Sequence, residues 1–325
     1  MSSEKEKGLY PKIEPYAEEL VPVGNGHQIY VERCGNKKGI PVVFLHGGPG
    51  GGCKSDHRQF FNPKKYHIFL LDQRGSGRST PYGSVVDNTT NHLIKDLELI
   101  RKLYSVDKFV LFAGSWGVTL ALAYAEAFPS SVSGMIFRGS FLARRKDVDW
   151  FFENGANRFL PEQWDRFISS LNMQGISNIS DFLYDAIVSG DQERMETAAR
   201  AWETWSGSVV MFSIDGIGSG ESHNINMKSA IVKAKIEFHY AKHAYFMREN
   251  QLLEDIDKLP KVPCKIVHGS RDLTCLPESA WLLHKAIPNS SINFLRTAGH
   301  LSSEKDMIYG LIEASDEMAV ELSSR

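Results

Sequence analysis

"FVLFAGSWGVTLALAYAEAFP", residues 109–129, decides how the chain is read. It opens with β-forming apolar residues at Phe109 and closes in a pattern that predicts an amphipathic helix. Ser115 sits at the seam, between Gly114 and Trp116, where the chain must turn sharply from strand to helix. Such a turn lifts a side chain above the carboxyl end of a sheet, and the crowding there calls for small neighbours. Ser115 is therefore a candidate nucleophile. A glycine- and serine-containing turn is also ordinary in any α/β protein, so the seam needs partners elsewhere.

Working outward, the flanking sequence alternates strands with helices. "PVVFLHGG" from Pro41, "HIFLLDQRG" from His67 and "GMIFRGS" from Gly134 are apolar runs of strand length closed by glycine or small polar residues, as strands buried on both faces require. "GNGHQIYVERCG" (Gly24–Gly35) reads as a turn feeding an antiparallel strand. "NHLIKDLELIRKLY" places Leu93, Leu97, Ile100 and Tyr104 on one helical stripe. This alternation predicts an α/β fold with a mostly parallel, doubly wound sheet. From about Arg144 to Glu249 the sequence is helical and rich in Trp, Phe, Glu and Arg; then strand "CKIVHG", helix "ESAWLLHKAI", strand "SINFLR" and a final helix resume the alternation. The expected organisation is a core of residues 1–143 and 250–325 with a helical cap inserted at 144–249.

A serine hydroxyl needs a base, a group that orients the base, and donors for the oxyanion. The pattern A-G-S-W-G, residues 113–117, fits a nucleophile elbow of the G-x-S-x-G type, with Ala113 at the first position. In that arrangement an acid and then a histidine follow the serine along the chain. "VHGSRDLTC" puts Asp272 just past a strand, and "FLRTAGHLSSE" puts His300 past the next one. Asp272 alone reads equally as a helix cap and His300 as a surface group; in order, and both at strand ends, they form a candidate triad with Ser115. The oxyanion donors expected are the backbone N–H of Trp116 and one from "LHGGPGGG", Gly48 first and Gly47 next.

Composition narrows the class. The 325 residues are 42% hydrophobic and 23% charged, with a net charge of −2, so no overall field attracts nucleic acid. The basic run Arg144-Arg145-Lys146 is followed at once by Asp147 and reads as a solvated surface turn. Four cysteines, Cys34, Cys53, Cys264 and Cys275, form no CxxC pair or zinc spacing. No metal or cofactor motif is present: "HGGPGGG" lacks the Lys-[Ser/Thr] of a phosphate loop and "RGSGRS" lacks the third glycine of a dinucleotide fingerprint. No apolar run approaches the ~20 residues of a membrane span, and the charged N-terminus has no signal-like apolar core. The expectation is a cytoplasmic enzyme acting on a peptide, amide or ester; no oligomeric state is specified.

With these motifs assembled, the chain resembles the proline iminopeptidases of the α/β-hydrolase superfamily from about Tyr10 to Glu321. "FLHGGPGGG", "LLDQRGSGRS", "GSWGVTLALAYAEAFP", "AARAWETWSG", "KIEFHY" and "VHGSRDLTC" carry the resemblance. It implies release of an N-terminal residue, typically proline, without a metal. It also implies that cap glutamates hold the substrate's amino group. One lies in a segment like "KIEFHY", which assigns Glu237. A second closes a W-x-x-W-E-G pattern, where this chain reads Trp202, Glu203, Thr204, Trp205, Ser206, Gly207: Ser206 stands where that glutamate is expected. Glu203 lies roughly one helical turn earlier. A carboxylate counters an ammonium charge and a hydroxyl does not, so weakened amine capture, or a preference for other small amides or esters, is the expected consequence.

Overall fold

The computed structural model describes residues 8–176, 178–215 and 225–324. Among these residues eight strands form one sheet: β1 Ala17–Gly24, β2 His27–Gly35, β3 Ile40–Leu45, β4 Tyr66–Leu71, β5 Phe109–Gly114, β6 Val132–Arg138, β7 Cys264–Gly269 and β8 Ser290–Leu295. Their spatial order is β1-β2-β4-β3-β5-β6-β7-β8. β1 and β2 are antiparallel, β2 meets β4 antiparallel, and every later pairing is parallel. From β3 the chain steps outward to β4, whereas β5 to β8 proceed the other way. The winding therefore reverses between β3 and β5, and a crevice opens at the carboxyl ends of these strands.

Among the described residues the helices are, in chain order, α1 Thr90–Leu103, α2 Trp116–Ala127, α3 Arg145–Phe152, α4 Pro161–Ser170, α5 Ile179–Ile187, α6 Gln192–Val210, α7 Phe212–Asp215, α8 Met227–Lys242, α9 Gln251–Glu254, α10 Pro277–Ala286 and α11 Lys305–Ser323. Helices α1, α2 and α10 cover one face of the sheet, where Leu97, Leu120 and Leu283 pack with Val43, Leu111 and Phe137. On the other face Met307, Leu311 and Met318 of α11 meet Ile68, Val110 and Ile136. Strands sandwiched this way must be apolar throughout, and β5 is buried at all six positions. Helix α2 is buried at ten of its twelve residues, so it is apolar nearly all round rather than amphipathic.

Between β6 and β7 the chain forms α3 to α8, which bury a separate apolar cluster. At its centre Phe152 stacks on Trp202 with ring centroids 5.0 Å apart, and Phe238 closes against both. Helix α8 faces three ways. Ala234 and Phe238 join that cluster; Ile236 and Tyr240 belong to the sheet's own core; Lys233 and Glu237, one turn apart, border a pocket between the two.

Two further features depart from the sequence reading. Strand β1 was not marked by its sequence, because only Val21 of its eight residues is buried and Pro22 interrupts it, as suits an exposed edge. Arg144 is not solvated. Its guanidinium is buried, forks onto Asp147 at 2.7 and 2.8 Å and donates to Ser279 of α10 at 2.9 Å, pinning the start of α3 to the core. Only Arg145 and Lys146 of that run are exposed.

Candidate active site

Ser115 caps α2 with φ 58° and ψ −126°, a left-handed conformation costly for a residue with a side chain. The neighbours allow it. A Cβ on Gly117 would collide with the carbonyl oxygen of Leu45, so β3 and the elbow can approach only with glycine there. The Ser115 N–H is fixed to the Arg138 carbonyl at 2.9 Å. Three sequence motifs lock together around this turn. Trp116 Nε1 donates to Gln73 Oε1 at 2.8 Å, Gln73 Nε2 donates to the His46 carbonyl at 2.9 Å, and the Gln73 N–H donates to His46 Nε2 at 3.0 Å. Asp72, fully buried, accepts from the N–H groups of Cys53 and Arg78 and from the Arg78 guanidinium. The glycine loop after β3, the Asp72–Ser79 turn and the elbow are thus one hydrogen-bonded unit.

His300 Nδ1 and Asp272 Oδ2 are 2.8 Å apart. The other Asp272 oxygen accepts the N–H groups of Thr274 at 2.9 Å and Cys275 at 2.8 Å. Burial would raise the Asp272 pKa, but His300, His268 and these backbone bonds outweigh it and hold the carboxyl below its usual range. With Nδ1–H donating to Asp272, His300 keeps Nε2 as an acceptor. The His300 carbonyl accepts from Arg138 Nη1 at 2.6 Å. Gly139, at φ +55°, gives the imidazole room, since a Cβ there would stand 3.1 Å from His300 Cε1.

Ser115, His300 and Gly48 line one pocket of about 150 Å³. Gly47 lies beneath it, where a Cβ would stand 3.1 Å from that of Ser115. The Trp116 N–H is at the first turn of α2, where helix N–H groups have no intrahelical acceptor. The partner of the Ser115 hydroxyl among the described residues is Cys275 Sγ, 3.9 Å away, rather than His300. Phe141, Phe151, Phe152, Val210 and Tyr245 supply apolar walls.

The polar end of the pocket comes from α6 and α8. Glu237 Oε2 accepts from Trp202 Nε1 at 2.9 Å. Burial raises the Glu237 pKa to about 7 against the lowering effects of Lys233 and Trp202. Ser206 also lines the pocket; Glu203 does not, being held by Lys233 Nζ at 3.0 Å. Among the described residues no cluster of His, Cys, Asp and Glu suits a metal ion, and no helix is long and apolar enough to cross a membrane.

Residues 40–306 match the family model described as the alpha/beta hydrolase fold. A proline iminopeptidase of Xanthomonas citri is 39% identical over 315 residues, spanning 96% of this chain and 99% of the relative. That of Arabidopsis thaliana is 38% identical over 95% of this chain and 82% of its own length. The chain belongs to the proline iminopeptidase family of α/β hydrolases. Among solved structures, a proline iminopeptidase-related protein of Thermus thermophilus superposes with a TM-score of 0.62 at 22% identity, covering 94% of this chain and 98% of that one. A Rhodococcus esterase gives 0.61 at 18% identity, over 95% and 99%. At these identities the likeness is one of fold.

Sequence reasoning missed the supporting groups. Arg138 ends β6 and His268 is the penultimate residue of β7, yet nothing local marks them as neighbours of Asp272 and His300. His268 is fully buried, accepts from the Ser140 N–H through Nδ1 and faces the Cys275 carbonyl through Nε2 at 2.9 Å. Lys233 was available only through its spacing, four residues before Glu237.

Proposed function

We propose that the protein is a serine aminopeptidase that releases N-terminal proline from peptides, with Ser115 as nucleophile, His300 as general base and then acid, and Asp272 orienting the imidazole. The carrying observation is the His300–Asp272 hydrogen bond beside a serine held on a strained turn, with Ser115 and His300 opening on one small pocket. As substrate enters, the Ser115 hydroxyl turns from Cys275 toward His300 Nε2, in keeping with the loose hydrogen bonds of empty serine-hydrolase sites. Attack on the carbonyl places the oxyanion against the N–H groups of Trp116 and Gly48, or of Gly47 beside it. His300 then protonates the leaving amine, and water hydrolyses the acyl-enzyme by the same path.

A cavity of about 150 Å³ holds a single six-membered ring, so a pyrrolidine ring fits among the aromatic walls while a long side chain does not. Its nitrogen would then face Glu237. Residues 144–249 serve as the cap that closes this space and expels water, which strengthens each charge interaction within it. Free cysteines throughout agree with a cytoplasmic setting.

A second reading, hydrolysis of other small amides or esters, is favoured by Ser206 at the amine-binding end. Comparing prolyl p-nitroanilide with simple acyl esters separates the two: the first reading expects the prolyl substrate to have the higher kcat/KM, and ester preference overturns it. Labelling by a fluorophosphonate that is lost in Ser115→Ala tests the nucleophile.

A further inference from the structure

The polar end of the pocket is not built for an ammonium ion alone. An ammonium has only donors and positive charge, so a site dedicated to it would present acceptors and negative charge. This site presents an acceptor in the Glu237 carboxylate, a cationic donor in Lys233, and in Ser206 a hydroxyl that can donate as well as accept. Lys233 stands one helical turn before Glu237, so both side chains rise from the same face of α8. Two of its ammonium protons suffice for the Glu203 oxygens, at 3.0 and 3.4 Å, which leaves a third for the pocket. The Ser206 hydroxyl is held only loosely, 3.5 Å from the Glu203 carbonyl. Lys233 is half-buried, and the carboxylates of Glu237 and Glu203 on either side raise its pKa against the cost of desolvation, which keeps it charged.

From this arrangement we infer that Lys233 is a specificity-determining residue that extends the substrate class to N-terminal rings carrying a carbonyl next to the ring nitrogen, the 5-oxoprolyl group being the simplest. A cis-lactam displays an N–H donor and a C=O acceptor side by side on one edge. Glu237 and Lys233 display an acceptor and a donor side by side from successive turns, so each half of the lactam meets its complement. Ser206 adds a second donor for the carbonyl oxygen. The lactam nitrogen carries no charge, so the repulsion that Lys233 exerts on a prolyl ammonium is absent. The ring is proline with two hydrogens replaced by one oxygen, and it keeps the same fit to the aromatic walls. The reaction is unchanged: water is added across the amide bond that follows the ring, giving the free 5-oxo acid and the shortened amine.

This inference rests on the aminopeptidase reading, and the test separates their failures. Kinetics of the full-length protein are measured with prolyl and 5-oxoprolyl p-nitroanilides. The expected result is a 5-oxoprolyl kcat/KM within about tenfold of the prolyl value, and a fall of at least about tenfold in that ratio for Lys233→Met, since a site that hydrogen-bonds a carbonyl discriminates by its donor. Lys233→Arg, which keeps a cationic donor, should restore part of the ratio. Prolyl turnover with a 5-oxoprolyl value more than about a hundredfold lower overturns the inference, as does a ratio unmoved in Lys233→Met. Should the methionine variant misfold, the wild-type ratio alone decides. Absence of prolyl turnover in a protein whose Ser115 still reacts with a fluorophosphonate would instead refute the aminopeptidase reading.

Discussion

The pocket has two walls, and they hold their side chains by different means. On the sheet side, Ser115, Asp272 and His300 stand on strand-end turns fixed through backbone groups: the Ser115 N–H on the Arg138 carbonyl, the Asp272 carboxylate on two N–H groups, and the His300 carbonyl on the Arg138 guanidinium. On the helical side, Glu237 and Lys233 are fixed by other side chains, Trp202 and Glu203. The difference teaches where change is cheap. A turn that depends on Gly117 and Gly139 accepts almost no substitution without moving the reacting atoms, whereas a helix face takes a new residue by changing one rotamer. Bond cleavage is written into the backbone, and recognition into exchangeable side chains.

If so, the largest losses lie on the sheet wall. Ser115→Ala should lower kcat for prolyl p-nitroanilide by roughly 10⁴- to 10⁶-fold, with an unchanged circular dichroism spectrum, because alanine keeps the backbone and only removes Oγ. Residual activity above about 1% of wild type would break the comparison by revealing another nucleophile. Asp272→Asn should cost roughly 10³- to 10⁴-fold in kcat. The asparagine oxygen can still accept from Thr274 and Cys275, which turns its amide NH₂ toward His300 Nδ1. That forces the proton onto Nε2 and leaves no acceptor for the Ser115 hydroxyl. A loss below about tenfold would mean that the carboxylate does not set the tautomer.

The same contrast explains what the sequence made legible. Backbone-dictated features leave local marks: the apolar run before Ser115, the small residues around it and the glycine loop at 47–52 were readable because sterics allow few alternatives. Asp272 and His300 could be ordered along the chain because each follows a buried strand. Side-chain networks leave no such marks. Arg144 looked solvated because its partner Ser279 lies 135 residues away. Lys233 went unmarked because only the packing of α8 on the glycine loop turns it inward; a Cβ at Gly50 would stand 3.2 Å from the Lys233 carbonyl. Strand β1 was hidden for the opposite reason, having almost nothing to bury.

Smaller effects belong to the helical wall and should fall on KM. Glu237→Gln keeps the acceptor for Trp202 Nε1 and removes the charge. KM for prolyl p-nitroanilide should rise by about 10- to 100-fold, and that for its N-acetylated counterpart by much less, with kcat nearly constant. The pH dependence has a definite sign. Burial lifts the Glu237 pKa to about 7, so the ionised form that counters an ammonium is lost as pH falls through that value. Wild-type KM should therefore climb toward acid by about tenfold per pH unit below it, while the glutamine variant stays flat. A wild-type KM independent of pH between 6 and 8, roughly a unit to either side of that pKa, would show that Glu237 does not meet the amine.

The mildest change is also the most direct comparison of the two walls, because it alters recognition without touching the turns. Ser206→Glu would place a second carboxylate at the pocket's polar end, where Lys233 is near enough to share its charge. Ser206 is 5% exposed, follows Trp205 on α6 and lines the pocket, so the longer side chain must extend into the pocket, toward the ammonium of a bound prolyl substrate. One added charge-assisted hydrogen bond, discounted for the pairing with Lys233, corresponds to about 0.5–1.5 kcal/mol, or a roughly two- to tenfold lower KM for free-amine substrates. The kcat should stay within about twofold, since no backbone bond of Ser115, Asp272 or His300 passes through α6. A large fall in kcat instead would mean that the helical wall also positions the reacting groups, and the division between cleavage and recognition would then dissolve.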